Sequence, residues 1–204
     1  MDTPFIGRSV FGALVRARLA VLTMLLVYVV AVTIGAVMVR TGNTFALHYR
    51  DTLVAQANAQ DPAAIALHRG DRWAAALWDA ARNLGLGAIP TTVAGLSILI
   101  PYLAAGFRGW VGGIVSVDDA HASRLATLPG ATYYLLTLLL QLIPYALAGG
   151  AGVNLGFAWL RPRAAYPGAR WFGLPKEAIW DAARIYLLVM PLFLLAPLWE
   201  FLAA

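Results

Sequence analysis

From Leu125 to Leu160 the chain runs 36 residues without one charged side chain. As continuous helix, at 1.5 Å per residue, such a run is about 54 Å long, well beyond the roughly 30 Å hydrocarbon core of a bilayer. Two further stretches lack charge, Leu19 to Val39 with 21 residues and Leu84 to Phe107 with 24. Only 12% of the 204 residues are charged and 61% are hydrophobic. Soluble domains carry about 25% charge, so the solvent around most of this chain is expected to be lipid. The expectation is one all-α integral membrane domain over 1–204, a polytopic helix bundle of about five transmembrane spans with broken or short helices and an external helical segment.

The first span is placed at 19–39, between Arg18 and Arg40. It is long for the apolar region of a signal peptide and no small-residue cleavage pattern precedes Arg40, so it reads as a retained anchor. Residues 41–83 carry four Arg and four Asp and read as external amphipathic helices. Asp61-Pro62 supplies an N-cap and a first-turn proline, Gly70 a stop, and Asp71 the next cap. Trp73, Leu77, Ala81 and Leu84 recur at helical spacing, as on an interfacial helix leading into a span. Residues 84–117 hold Pro90, Pro101 and a scatter of glycines. They read as a short helical pair or a re-entrant hairpin. The stretch 125–160 is expected to bend or break at Pro129-Gly130, Pro144 or Gly149 to Gly152, and the last span lies at 178–201.

Orientation follows from Arg and Lys in the short flanks. Arg8, Arg16 and Arg18 place the N-terminus in the cytoplasm, and Arg161, Arg163, Arg170 and Lys176 belong on the same side. An even number of crossings must separate these groups. With three crossings within 84–160, the total is five and the C-terminus is external.

Gly109-Trp-Val-Gly-Gly113 and Gly152-Val-Asn-Leu-Gly156 are both GxxxG patterns, in which small residues let helix backbones approach closely in lipid. Gly109, Gly113, Gly152 and Gly156 are therefore candidate packing positions. Arg108, Gln141, Asn154 and Glu200 are the polar residues set in apolar surroundings, where burial is costly and function is the default hypothesis. Arg108 and Glu200 also suit snorkelling from span ends. Gln141 lies deepest and requires a partner for its amide. Trp73, Trp78 and Trp110 are candidate partner contacts, large anchors of the type that dominate interfaces, and equally candidates for the lipid interface.

The chain has no cysteine, a single lysine (Lys176), and three histidines without ligand spacing, His48, His68 and His121. Thiol chemistry, a Walker lysine, and a histidine metal site are not expected. Ser9, Ser97, Ser116 and Ser123 stand in no nucleophile-elbow pattern. The positive charges are too scattered for a nucleic-acid face. No catalytic residue, cofactor or metal is expected.

Three patches together resemble the stage II sporulation protein M family of integral membrane proteins. Asn83 opens a glycine-studded apolar stretch that leads to Arg108-Gly109 with Gly113, where the family has an Asn-Gly pair and a further Gly. Gln141 precedes a small-residue helix ending at Gly156, and Glu200 follows a proline-containing apolar run from Ile185. The likeness covers about 83–204. It departs at Arg108, which stands for the Asn, at Gln141, which stands for an acid, and at Leu136 to Leu138, where the family's Pro-His-Gly is absent. The resemblance implies a non-enzymatic subunit of the bacterial inner membrane that holds other proteins at the bilayer. Its partners would be membrane protein subunits and lipid, with a small-molecule substrate not expected. The competing expectation is a permease component of a transporter, motivated by the broken helices. A water-accessible cavity reaching Gln141 favours transport, and a dry core favours the subunit.

Overall fold

In the computed structural model, which describes residues 9–161 and 166–202, three helices are long and apolar enough to cross a membrane. They are α1 (Val10–Arg40), α7 (Leu128–Leu160) and α8 (Lys176–Leu202). Between α1 and α7 come α2 (Thr44–Gln60), α3 (Pro62–His68), α4 (Arg72–Arg82), a π-helical turn (Asn83–Ala88), α5 (Ile89–Ala94), a 3-10 turn (Gly95–Ser97) and α6 (Leu99–Ile114). A two-stranded antiparallel hairpin, β1 (Arg170–Trp171) and β2 (Leu174–Pro175), precedes α8. Arg8 and Arg163, two of the charges used to orient the chain, lie outside the described residues.

The polar segment 41–83 is capped as its residues require. Asn43 accepts from the Ala46 amide, Asp61 from Ala63, and Asp71 from Ala74, each oxygen satisfying an N–H that a helix start leaves open. Helix α4 is not set apart from the bundle. Its Ala75, Ala76, Asp79 and Ala80 are buried, and Leu77, Ala81 and Leu84 border Met190, Phe193 and Leu194 of α8.

Residues 84–114 make two helical arms joined by a reversal. The chain continues from α4 through the π turn into α5, turns at Ile98 with φ 62°, and returns as α6. Positive φ is rare for a β-branched residue, and here it reverses the chain between the two arms. Pro101 sits in the first turn of α6 and does not end it. Gly109 and Gly113 of α6 meet Tyr28 and Gly35 of α1, so these two helices run parallel.

Of the bend or break expected in 125–160, no break occurs: α7 is helical throughout its 33 residues. Thr127 caps it through a 3.3 Å hydrogen bond from the Gly130 amide, and Pro129 occupies the first turn, where its missing N–H is not needed. The Gly149 to Gly152 run is a packing face instead of a hinge. A Cβ on Gly150 would stand 2.8 Å from the Val21 Cα of α1, and one on Gly149 would stand 3.1 Å from the Met24 side chain. The core gathers there: Met24 and Tyr28 of α1, Tyr145 to Val153 of α7, and Ile185, Val189 and Phe193 of α8.

Candidate functional site: a cavity lined by two arginines

The last helical residue of α4 and the π turn bring Arg82, Asn83 and Gly87 beside α7. A π turn is rare and marks functional positions more often than chance. The Tyr145 hydroxyl donates to Asn83 Oδ1 at 2.8 Å. Asn83 Nδ2 donates to Asp79 Oδ2 at 2.7 Å, and Arg82 Nη2 donates to Asp79 Oδ1 at 2.9 Å. Arg82 also pairs with Asp61 at the start of α3. Arg108, from α6, lies over the Tyr145 ring with its guanidinium carbon 4.0 Å from the centroid. Cation–π attraction is strongest where water is scarce. Glycine at 87 leaves room for this stack as it stands, since a Cβ there would lie 3.0 Å from Arg108 Nη1 and 2.9 Å from the Tyr145 ring and would push these side chains aside.

These groups border a cavity of about 380 Å³ that also reaches Tyr28, Gln141 and the apolar Phe107, Leu138 and Leu142. Gln141 finds the partner its amide needs, donating from Nε2 to Glu200 Oε2 at 2.9 Å. Glu200 is held a second time, because the Tyr133 hydroxyl donates to its backbone carbonyl at 2.8 Å. Arg108 and Glu200, both placed near span ends by the sequence, therefore point to protein neighbours.

Asn154 belongs to a separate network near the opposite end of the bundle. Its Nδ2 donates to the Tyr166 hydroxyl at 2.7 Å, which donates to Asp181 Oδ2 at 3.1 Å. Arg16 Nε and Nη2 reach Asp181 at 2.5 and 2.6 Å, and Arg184 Nη1 reaches it at 2.8 Å. Asp181 is 0% exposed. Burial pushes the Tyr166 hydroxyl up to about 12, against the Asn154 hydrogen bond. Above this network a glycine seam closes the bundle: a Cβ on Gly152 would stand 2.7 Å from Thr92 Cα, and one on Gly156 would strike the Gly95 carbonyl.

A third cluster ties α2 to the 115–127 loop. Arg50 pairs with Asp51 at 3.0 Å and Asp119 at 2.6 Å, and His121 meets Asp51 at 3.1 Å. The hydrogen bond from His121, with that from Arg50, holds the Asp51 carboxyl below the usual carboxylate range. Among the described residues no group of three or more His, Asp or Glu side chains is placed to hold a metal.

Of the tryptophans, Trp73 and Trp78 are exposed, 63% and 56%. Trp110 is taken up within the chain, in an aromatic cluster with Phe45, Tyr49 and Phe107, and its indole N–H points to Met38 Sδ at 3.3 Å. Sequence reasoning missed Tyr28, Arg82, Asp79, Tyr145 and Asp181 as site residues. The available signal was charge close to the apolar stretches: Asp79 and Arg82 precede Leu84, and Asp181 opens the last one.

No family model, curated protein or solved structure matches this chain.

Proposed function

We propose that this protein is a non-enzymatic subunit of a larger complex in a bacterial inner membrane, of the stage II sporulation protein M type, working by contact with other membrane proteins. The observation that carries the reading is the exposed pair Trp73 and Trp78 on α4, a helix held in place where its Leu77 and Ala81 border α8. A rigidly mounted aromatic face is what a stable protein contact uses.

In this reading the chain crosses five times from a cytoplasmic N-terminus. The crossings are α1, the arm from α4 to the 3-10 turn, α6, α7 and α8. Three pairings support it: α6 runs parallel to α1, Arg16 of α1 reaches Asp181 near the start of α8, and Arg50 of α2 reaches Asp119 of the loop before α7. Arg16, Arg18, Arg161, Arg170 and Lys176 then share the cytoplasmic end, in keeping with the positive-inside bias. Substituting Trp73 and Trp78 together by Ala should release the co-purifying partner in mild detergent while helicity is unchanged, as mass spectrometry of the eluate would record. A wild-type protein that isolates alone, without any partner, refutes the subunit reading.

The cavity reaching Gln141 favours a second reading, a permease component. Against it stands the close packing of the other half of the bundle, where a Cβ on Gly95 would strike Gly152 and Arg16 pairs with the fully buried Asp181. Movement of a solute into vesicles that contain this protein alone would establish that reading.

A further inference from the structure

Charge around the cavity is unequally satisfied. Its lining includes two guanidiniums, Arg82 and Arg108, and no carboxylate. Arg82 spends its charge on Asp61 and Asp79. Arg108 makes no ion pair among the described residues, and its Nη1 is buried without a hydrogen-bond acceptor, while its guanidinium stacks on the Tyr145 ring. A buried donor without an acceptor is uncommon, and a cation at lipid depth is costly unless an opposite charge meets it. The rest of the lining is largely hydrocarbon, with Phe107, Leu86 and Leu138 beside the arginine. Phe107 and Leu86 are also exposed on the outer surface of the bundle, so the apolar wall continues onto the face that meets acyl chains.

We infer that this cavity binds an anionic amphiphile of the bilayer, with a carboxylate or phosphate head against Arg108 and an acyl tail along Phe107, Leu86 and Leu138. A volume of about 380 Å³ lies within the range of small-molecule sites. The head supplies the acceptor that Arg108 Nη1 lacks, as a charge-assisted hydrogen bond, with the Gln141 amide and the Tyr28 ring close by as further walls. Lateral entry from the lipid requires no path across the bundle. The inference rests on membrane placement of the bundle and not on its role as a subunit.

The test uses the full chain in a neutral maltoside detergent, with native mass spectrometry to count adducts over a concentration series. The probes are oleate, 1-oleoyl-lysophosphatidate, inorganic phosphate as the head alone, and oleyl alcohol as the tail alone. One adduct is expected with each of the two anionic amphiphiles, and none with phosphate at the same concentration. Arg108→Gln should weaken both amphiphiles about ten- to a hundredfold, the worth of a hydrogen bond to a charged group. Arg108→Lys should retain part of the affinity, and Leu138→Trp, which adds bulk to the tail wall, should weaken both amphiphiles without altering helicity. The inference is overturned if the wild-type protein takes up neither amphiphile, or if a folded Arg108→Gln variant binds them undiminished. It is likewise overturned if phosphate or oleyl alcohol binds as tightly as the amphiphiles. Should Arg108→Gln fail to fold, undiminished binding by Leu138→Trp overturns it. A partner found by co-purification would leave every one of these outcomes unchanged, so failure here and failure of the subunit reading are separate results.

Discussion

Replacing Asp181 by Asn keeps the shape of the side chain and removes its charge. The carboxylate is fully buried and accepts from Arg16 Nε and Nη2, Arg184 Nη1 and the Tyr166 hydroxyl at 2.5 to 3.1 Å. An amide in its place turns an NH2 group toward guanidinium donors and leaves positive charge in a low-dielectric setting. Breaking a buried pair by removing one partner costs about 3–5 kcal/mol. Glu177 offsets part of this, since it already meets Arg184 at 2.6 Å and Arg16 at 3.9 Å, although its side chain is 32% exposed. The expected loss is therefore at the lower end, about 3 kcal/mol, or more than a hundredfold in the unfolding equilibrium. Reversible unfolding in mixed micelles, followed by far-ultraviolet circular dichroism, reads this directly. Arg16→Gln should cost less in the Asp181→Asn background than in the wild type, because its partner is already lost. A single-variant loss below about 1 kcal/mol, or strictly additive costs, would refute the claim that this buried carboxylate joins α1 to α8.

Gly152→Leu should abolish folding or reduce yield severely, since the added side chain starts 2.7 Å from Thr92 Cα, a backbone atom with no room to yield; wild-type yield and melting temperature would count against the seam. The depressed Asp51 carboxyl contributes stability that is present above its unfolded value near 4 and is lost as pH falls through its lower folded value. Protection of the 115–127 loop against hydrogen exchange, relative to the intrinsic rate at each pH, should accordingly persist down to about pH 4 and fall below it, and loosening that begins above pH 5 would contradict this. In the parent background, which has no cysteine, Phe172→Cys at the fully exposed tip of the β1–β2 hairpin should react with an impermeant maleimide only after cells are opened, as the proposed cytoplasmic placement of the hairpin requires; labelling of intact cells would reverse the topology.

The caps at Asp61 and Asp71 and the punctuated pair after Asn83 were legible because local chemistry decides them: a side-chain oxygen beside an open N–H, or glycine and proline in an apolar run. Pro144 left a break open for the same reason, and none occurs there. Considered alone it breaks a helix, yet the chain from Pro144 to Asn154 is buried against its neighbours, and that packing outweighs the missing hydrogen bond. The cavity was partly visible. Arg108 and Gln141 stood out as polar groups in apolar surroundings, whereas Tyr145 and Asn83, 62 residues apart, carry no pattern that announces their meeting. Asp181 stands in the sequence only as one acid near the start of the last apolar stretch. Only the arrival of α1 at that point converts it into a buried acceptor.

Helix α6 has 16 residues, about 24 Å at 1.5 Å per residue. If it spans the bilayer in the manner proposed, it falls roughly 6 Å short of an average hydrocarbon core. Its neighbour α1, parallel to it and clamped through Gly109 and Gly113, is 31 residues long. One molecule thus presents lipid with a long wall and a short wall side by side. Acyl chains cannot match both, so the leaflet beside α6 must thin or tilt, at a cost that grows with each ångström of mismatch. Such a dimple is a source of force in the membrane plane, drawing together inclusions that share the deformation. This protein would then gather neighbours before any side chain touches them, and would do so best where the bilayer is thick.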